Sequence, residues 1–279
     1  MHKLSCKTPS TRVFPTHRYI PAILMLWLCT LPGSPAALAS ADEDKGQAIA
    51  VEADRRDNGF GDTAVDLTML IASSAENVTT REMRQMVLEV EDDGDKSIMV
   101  FDRPRDLKGT AILTFTHKFE NDEQWLYLPA LKRVKRISSA DKSGPFMGSE
   151  FAYEDLSSQE VEKYSYRYLR DEVMNGEPCF VVERIPTDKN SGYTRQITWV
   201  DQSEYRLQRV DYYDRKNTLL KSMNPVDYQQ YLNQYWRPAQ MIMTNHQTGK
   251  STTLQFGNYQ FRSGLRDSDF TRSAISRIR

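Results

Sequence analysis

The chain has 279 residues, with 37 Lys and Arg against 38 Asp and Glu and a formal net charge of −1. That balance lacks the basic footprint that nucleic-acid binding requires, and the length allows one large domain or two small ones. Three cysteines, Cys6, Cys29 and Cys179, are too few for a disulfide framework.

Residues 1–39 carry Lys3, Lys7, Arg12 and Arg18 and no acid, then an apolar run from Ile20 to Leu28, a Pro-Gly-Ser-Pro break and Ala37-Leu38-Ala39. That order reads as a cleavable secretory leader cut near Ala39 or Ala41, leaving Ser40 or Asp42 as the new N-terminus. The uninterrupted apolar run is about half of the roughly 20 residues a spanning helix needs. Cys29 follows bulky Leu28, which disfavours lipid attachment there. Removal of the leader takes away four positive charges and no negative ones, so the net charge moves from −1 to −5. The mature chain, 40–279, keeps Cys179 alone, and its setting between Pro178 and Phe180-Val181-Val182 reads as a buried small apolar residue. The expected location is outside the cytoplasm.

Residues 43–58 read as a short polar helix closed by Gly59. Beyond it the period falls to two. Residues 80–91 place Arg84, Met86, Leu88 and Val90 on one face and Gln85, Val87 and Glu89 on the other, and residues 251–257 alternate likewise. Turn signals recur at 92–95, 175–176, 188–190, 214–217 and 248–249. The spacing predicts ten to thirteen antiparallel strands joined mainly by hairpins, in one domain.

Two stretches stand out. Residues 131–137 hold Lys132, Arg133, Lys135 and Arg136 within a predicted strand. Such a strand is either a sheet edge guarded by charge or a docking patch for an acidic partner or anionic lipid headgroups. Residues 138–160 break the pattern with Ser and Gly around Phe146, Met147, Phe151, Tyr153 and Leu156. The segment is too long for a hairpin loop, and its aromatics are expected to fold back on the sheet as a lid.

Signals for chemistry are sparse. His117 and His246 lie far apart, each on a predicted strand, and no His or Cys pair has metal-ligand spacing. Gly148-Ser149 lacks the second glycine of a nucleophile elbow. A Ser-His-Asp arrangement through either histidine has no local support. No catalytic residue, cofactor or metal is therefore expected.

The most specific signal is a set of short runs in order. Pro104-x-Asp106-x-Lys108-Gly109-Thr110-Ala111 precedes Trp125-Leu126-Tyr127-Leu128-Pro129-Ala130, Arg133-Val134-x-Arg136-Ile137 and Phe146-Met147-Gly148-Ser149-Glu150-Phe151-x-Tyr153-Glu154-Asp155-Leu156. Pro186, Tyr193, Trp199-Val200-Asp201 and Leu265-x-Asp267-x-Asp269-Phe270-Thr271 follow. The set resembles the bacterial outer-membrane lipoprotein-sorting proteins, a branch of the LolA-like superfamily, over nearly the whole mature chain. Glu150 stands where that loop more often has aspartate. The resemblance implies a mainly β fold: a curled antiparallel sheet, a half-open barrel, with short helices over a concave apolar face that receives lipoprotein acyl chains. It also implies association with RND-superfamily exporters. The leading expectation is a non-enzymatic carrier of a lipoprotein or other lipid toward the outer membrane, and the alternative is an accessory subunit of an RND-type exporter. A hydrolase is the third reading.

Overall fold

The computed structural model describes residues 35–74 and 76–278, so most of the leader lies outside the described residues. Helix α1 (Pro35–Asp57) leads into thirteen strands: β1 (Asp62–Ser74), β2 (Asn77–Leu88), β3 (Lys96–Arg103), β4 (Ala111–Phe115), β5 (Glu123–Leu128), β6 (Arg133–Ile137), β7 (Tyr164–Met174), β8 (Glu177–Pro186), β9 (Arg195–Asp201), β10 (Leu207–Tyr213), β11 (Leu219–Tyr231), β12 (Tyr235–Asn245) and β13 (Ser251–Phe261). A short helix, α2 (Arg272–Ile275), ends the described chain. The strand count meets the upper end of the expectation, and the turns fall at the expected signals. The helix begins earlier than the polar pattern from 43 indicated.

All thirteen strands form one antiparallel sheet in the order β6-β5-β4-β3-β2-β1-β13-β12-β11-β10-β9-β8-β7. The chain enters at the middle, meanders out to β6, and resumes at β7 on the opposite edge. It then meanders back until β13 pairs with β1. β6 and β7 are not paired, so the sheet is not closed into a barrel. Register shifts between Ala64 and Asp66, Tyr168 and Arg170, and Leu207 and Arg209 are bulges of the kind that bend strands and strengthen twist.

The sheet buries apolar rows on both faces. On the inner face Met83 pairs with Leu67, Leu254 with Met69, Ile112 with Met99, and Met223 with both Val210 and Met243. These residues form the main core. On the outer face Ile98, Leu113 and Trp125 lie side by side, covered by Phe270 and Ile275 of the C-terminal tail. Strand β3 therefore has Ile98, Met99, Val100 and Phe101 all buried. A strand covered on both faces reads as a continuous apolar run rather than an alternation. Cys179 is fully buried on the outer side with Val181, Ile197 and Trp199, and burial pushes its thiol pKa up.

Candidate functional site: a cavity under a pinned crossover

Because β6 and β7 are consecutive in sequence but occupy opposite edges, residues 138–163 must cross the open inner face. The segment does so through a string of short 3-10 turns, among them Phe146–Gly148, Tyr153–Leu156 and Val161–Lys163. Phe146 stacks on Phe101 with ring centroids 6.0 Å apart and meets Tyr153 edge-on at 5.5 Å. Phe146 and Phe151 are buried in the main core, and Met147, Tyr153 and Leu156 pack against it. The aromatics of the segment do fold back onto the sheet.

Polar contacts fix the crossover as firmly as its rings. Lys221 of β11 donates to the carbonyl oxygen of Glu150 at 2.8 Å and to Asp155 Oδ2 at 2.7 Å. Both side chains are nearly excluded from solvent, at 5% and 2% exposure. Asp155 also accepts from the Ala152 amide at 2.7 Å and from the Tyr193 hydroxyl at 2.8 Å. Burial, with the Asp155 charge beside it, holds the Tyr193 pKa well above that of an ordinary phenol, so the hydroxyl stays a donor. Glu150 accepts from Asn245 Nδ2 at 2.7 Å, while its amide donates to Thr252 at 3.0 Å. Arg81 donates to the carbonyl oxygen of Met147, which adopts a left-handed conformation with φ of 49°. Further along, Glu154 accepts from Ser191 and Gly192, each at 2.8 Å.

Helix α1 covers the other part of the inner face, over β7–β9. Gly46 allows the contact: a Cβ there would lie 2.7 Å from the Tyr168 amide nitrogen. Ile49 packs with Val161, Tyr166, Val182 and Val200, and Lys45 sits 3.4 Å above the Tyr168 ring, a cation–π arrangement.

Between α1, the crossover and the sheet lies a cavity of about 1300 Å³. That exceeds the roughly 300–1,000 Å³ of ordinary small-molecule sites. Its apolar wall includes Leu67, Val200, Leu207, Met241 and Phe256, with Phe151 and Leu156 contributed by the crossover. Phe146, Met147 and Tyr153 stand behind this wall rather than in it. Asp54, Asp95, Glu160 and Lys118 line a polar end. There Ser158 donates to Asp95 at 3.2 Å and Thr116 to Glu160 at 3.3 Å, tying the C-terminal half of the crossover to the β2–β3 and β4–β5 turns. Burial raises Asp95 to about 6. Burial and the neighbouring Asp95 charge raise Glu160 to about 7.

The basic cluster lies away from the cavity. Lys132 holds a left-handed turn at φ of 48°, and Arg133, Lys135 and Arg136 sit on β6, a sheet edge. The two histidines fall just beyond strands β4 and β12 rather than on them. His246 Nε2 meets the Ser222 hydroxyl at 2.7 Å, and that hydroxyl donates to Asp211 at 2.5 Å. In a catalytic triad the carboxylate orients the imidazole, whereas here it holds the serine. Among the described residues no group of three or more His, Cys, Asp or Glu is arranged to hold a metal ion. None of their helices is long and apolar enough to cross a membrane.

A family model described as an uncharacterized protein matches residues 93–277. A crystal structure from Vibrio parahaemolyticus, named as an outer membrane lipoprotein-sorting protein domain, is 54% identical, with a TM-score of 0.82 over 84% of this chain and 99% of that one. The chain belongs to the family of outer-membrane lipoprotein-sorting protein domains. A second member, a DUF1329 family protein from Desulfovibrio piger, is 30% identical, covers 84% of this chain and 99% of its own, and has a TM-score of 0.79. A LolA superfamily protein from Nitrosomonas europaea shares the fold, at 23% identity, 82% and 98% coverage and a TM-score of 0.66. No curated protein matches. Of the pins that hold the cover, Asp155 and Tyr193 lie in the runs singled out from the sequence but without this role, while Lys221 and the cavity carboxylates Asp95 and Glu160 carry no sequence signal. Lys221 lies 66 residues from Asp155, and no local pattern links them.

Proposed function

We propose that this protein is a periplasmic carrier that shields the acyl chain of a lipoprotein, or another lipid, in the cavity under the crossover, on the way to the outer membrane. The observation that carries the reading is the cavity itself: about 1300 Å³ with a wall of Leu, Val, Met and Phe side chains on the open face of a LolA-like half-barrel. Each buried methylene of an acyl chain contributes about 0.8 kcal/mol, so such a wall holds a chain without a reacting group. Phe151 and Leu156 meet the chain directly, and Phe146, Met147 and Tyr153 set how firmly the cover is seated. Export through a leader cut near Ala39 or Ala41 delivers the protein to its cargo.

Titration with a dansyl-labelled fatty acid tests the reading. Wild-type protein is expected to bind the probe. Ala53→Trp, which fills the cavity from α1, is expected to weaken binding at least tenfold while the β-sheet circular dichroism persists. Shortening Phe146, Met147 and Phe151 together to Ala is expected to alter probe binding and hydrogen exchange in the crossover more than in the strands. A wild-type protein that binds no acyl probe overturns the carrier reading.

A further inference from the structure

The two edges of the sheet are finished differently. β7 carries a bulge between Tyr168 and Arg170, and α1 lies against its backbone at Gly46. Both features are common ways of keeping an edge from pairing with another chain. β6 has neither. It pairs with β5 without a register shift from Arg133–Leu128 to Ile137–Gln124. Among the described residues no strand lies on its other side, and the backbone of residues 133–137 makes no hydrogen bond beyond β5.

We propose that β6 is a docking edge that takes an extended, acidic polypeptide segment of a partner protein by strand addition. The inference concerns a surface remote from the cavity and does not depend on what the cavity holds. An unpaired edge offers its amides and carbonyls to an incoming strand, and flanking side chains set which strand is accepted. Lys132, Arg133, Lys135 and Arg136 supply that selection. Only Arg136 has an acidic partner, Glu123 at 2.9 Å, and it remains largely exposed. Lys132, Arg133 and Lys135 form no ion pair among the described residues. The strand register puts Arg133 and Lys135 beside Leu128 and Leu126, and Arg136 beside Trp125, hence on opposite faces of the sheet. A flat anionic membrane would engage the cations and leave the edge amides and carbonyls of β6 unpaired, whereas an added strand uses both. The same charges repel the β6 edge of a second copy of this chain. Exposed Leu131 and Val134 give apolar contact between the charges. Arg133 and Lys135 share one face and Val134 lies between them on the other, so a segment alternating acidic with apolar residues sets its acids beside that pair and its apolar side chains beside Val134.

An eight-residue acetylated peptide alternating Glu and Val serves as the probe, read by fluorescence polarisation on the full mature chain. Wild-type protein is expected to bind it, more weakly as salt rises, and the amides of residues 133–137 are expected to gain hydrogen-exchange protection. The triple variant Lys132→Gln, Arg133→Gln, Lys135→Gln is expected to bind at least tenfold more weakly. Its melting temperature should be almost unchanged, because exposed charges contribute little to stability. A peptide of equal charge, N-methylated at alternate residues on either register, is expected to lose binding at least tenfold. N-methylated peptide that binds as well as its parent overturns strand addition, since charge alone would then explain the capture. Failure of the peptide to bind while phosphatidylglycerol vesicles do bind, and lose binding in the triple variant, overturns it in favour of a membrane surface. Unchanged protection at residues 133–137 in the peptide complex also overturns it.

Discussion

Lys221→Met removes the cation that pins the crossover while keeping the length and packing of the side chain. In the folded protein Asp155 would then be left 2% exposed with only the Ala152 amide and the Tyr193 hydroxyl as donors. Breaking a buried pair from one side costs roughly 3–5 kcal/mol, because the remaining charge is uncompensated. The Glu150 carbonyl oxygen loses a donor as well. For a domain of this size, that loss lowers the melting temperature by roughly 10 °C. Urea unfolding measures the free energy, and hydrogen exchange locates the loosening in residues 138–163. The decisive comparison is with the double variant Lys221→Met, Asp155→Asn. Asparagine keeps an oxygen for Ala152 and Tyr193 but carries no charge, so the double variant is expected to regain part of the lost stability. A cost below about 1 kcal/mol, or no recovery in the double variant, would refute a buried pair as the clasp of the crossover.

Three other expectations follow from the same geometry. Burial raises Glu160 to about 7, so the folded state keeps a proton that the unfolded state releases. The contribution of Glu160 to stability falls as pH climbs from its ordinary carboxylate range through about 7, and Glu160→Gln is expected to be more stable than wild type at mildly alkaline pH, with the difference fading in acid, as followed by urea midpoints across pH. Gly46→Ala places a Cβ 2.7 Å from the Tyr168 amide nitrogen; it is expected to cost roughly 1–3 kcal/mol and to expose the cavity end under α1, seen as faster exchange in residues 40–57. Intact-mass measurement of exported protein is expected to give a chain beginning at Ser40 or Asp42, and a retained leader would contradict the leader reading.

Much of the sheet was legible because strand signals are local. Alternation at 80–91 and 251–257, and turn chemistry at Asn175-Gly176 or Thr248-Gly249, depend on neighbours a few residues apart, and β2, β13 and the β7–β8 and β12–β13 turns lie there. The family runs likewise pointed to the half-open architecture, and the cations at 132–136 do lie on an edge, since a strand charged on both faces cannot be central. The order of the strands was not legible. Nothing in the sequence near Ile137 or Tyr164 says that these consecutive strands sit at opposite ends of a thirteen-stranded sheet, yet that separation is what sends residues 138–163 across the open face. The clasp joins Asp155 to Lys221 and Tyr193, and the raised carboxylates owe their state to burial at the polar end of the cavity. Residue types and short-range spacing set the strands, the turns and the charged edge. Long-range pairing alone decided which face was covered, how large a cavity remained, and which polar side chains lost their water.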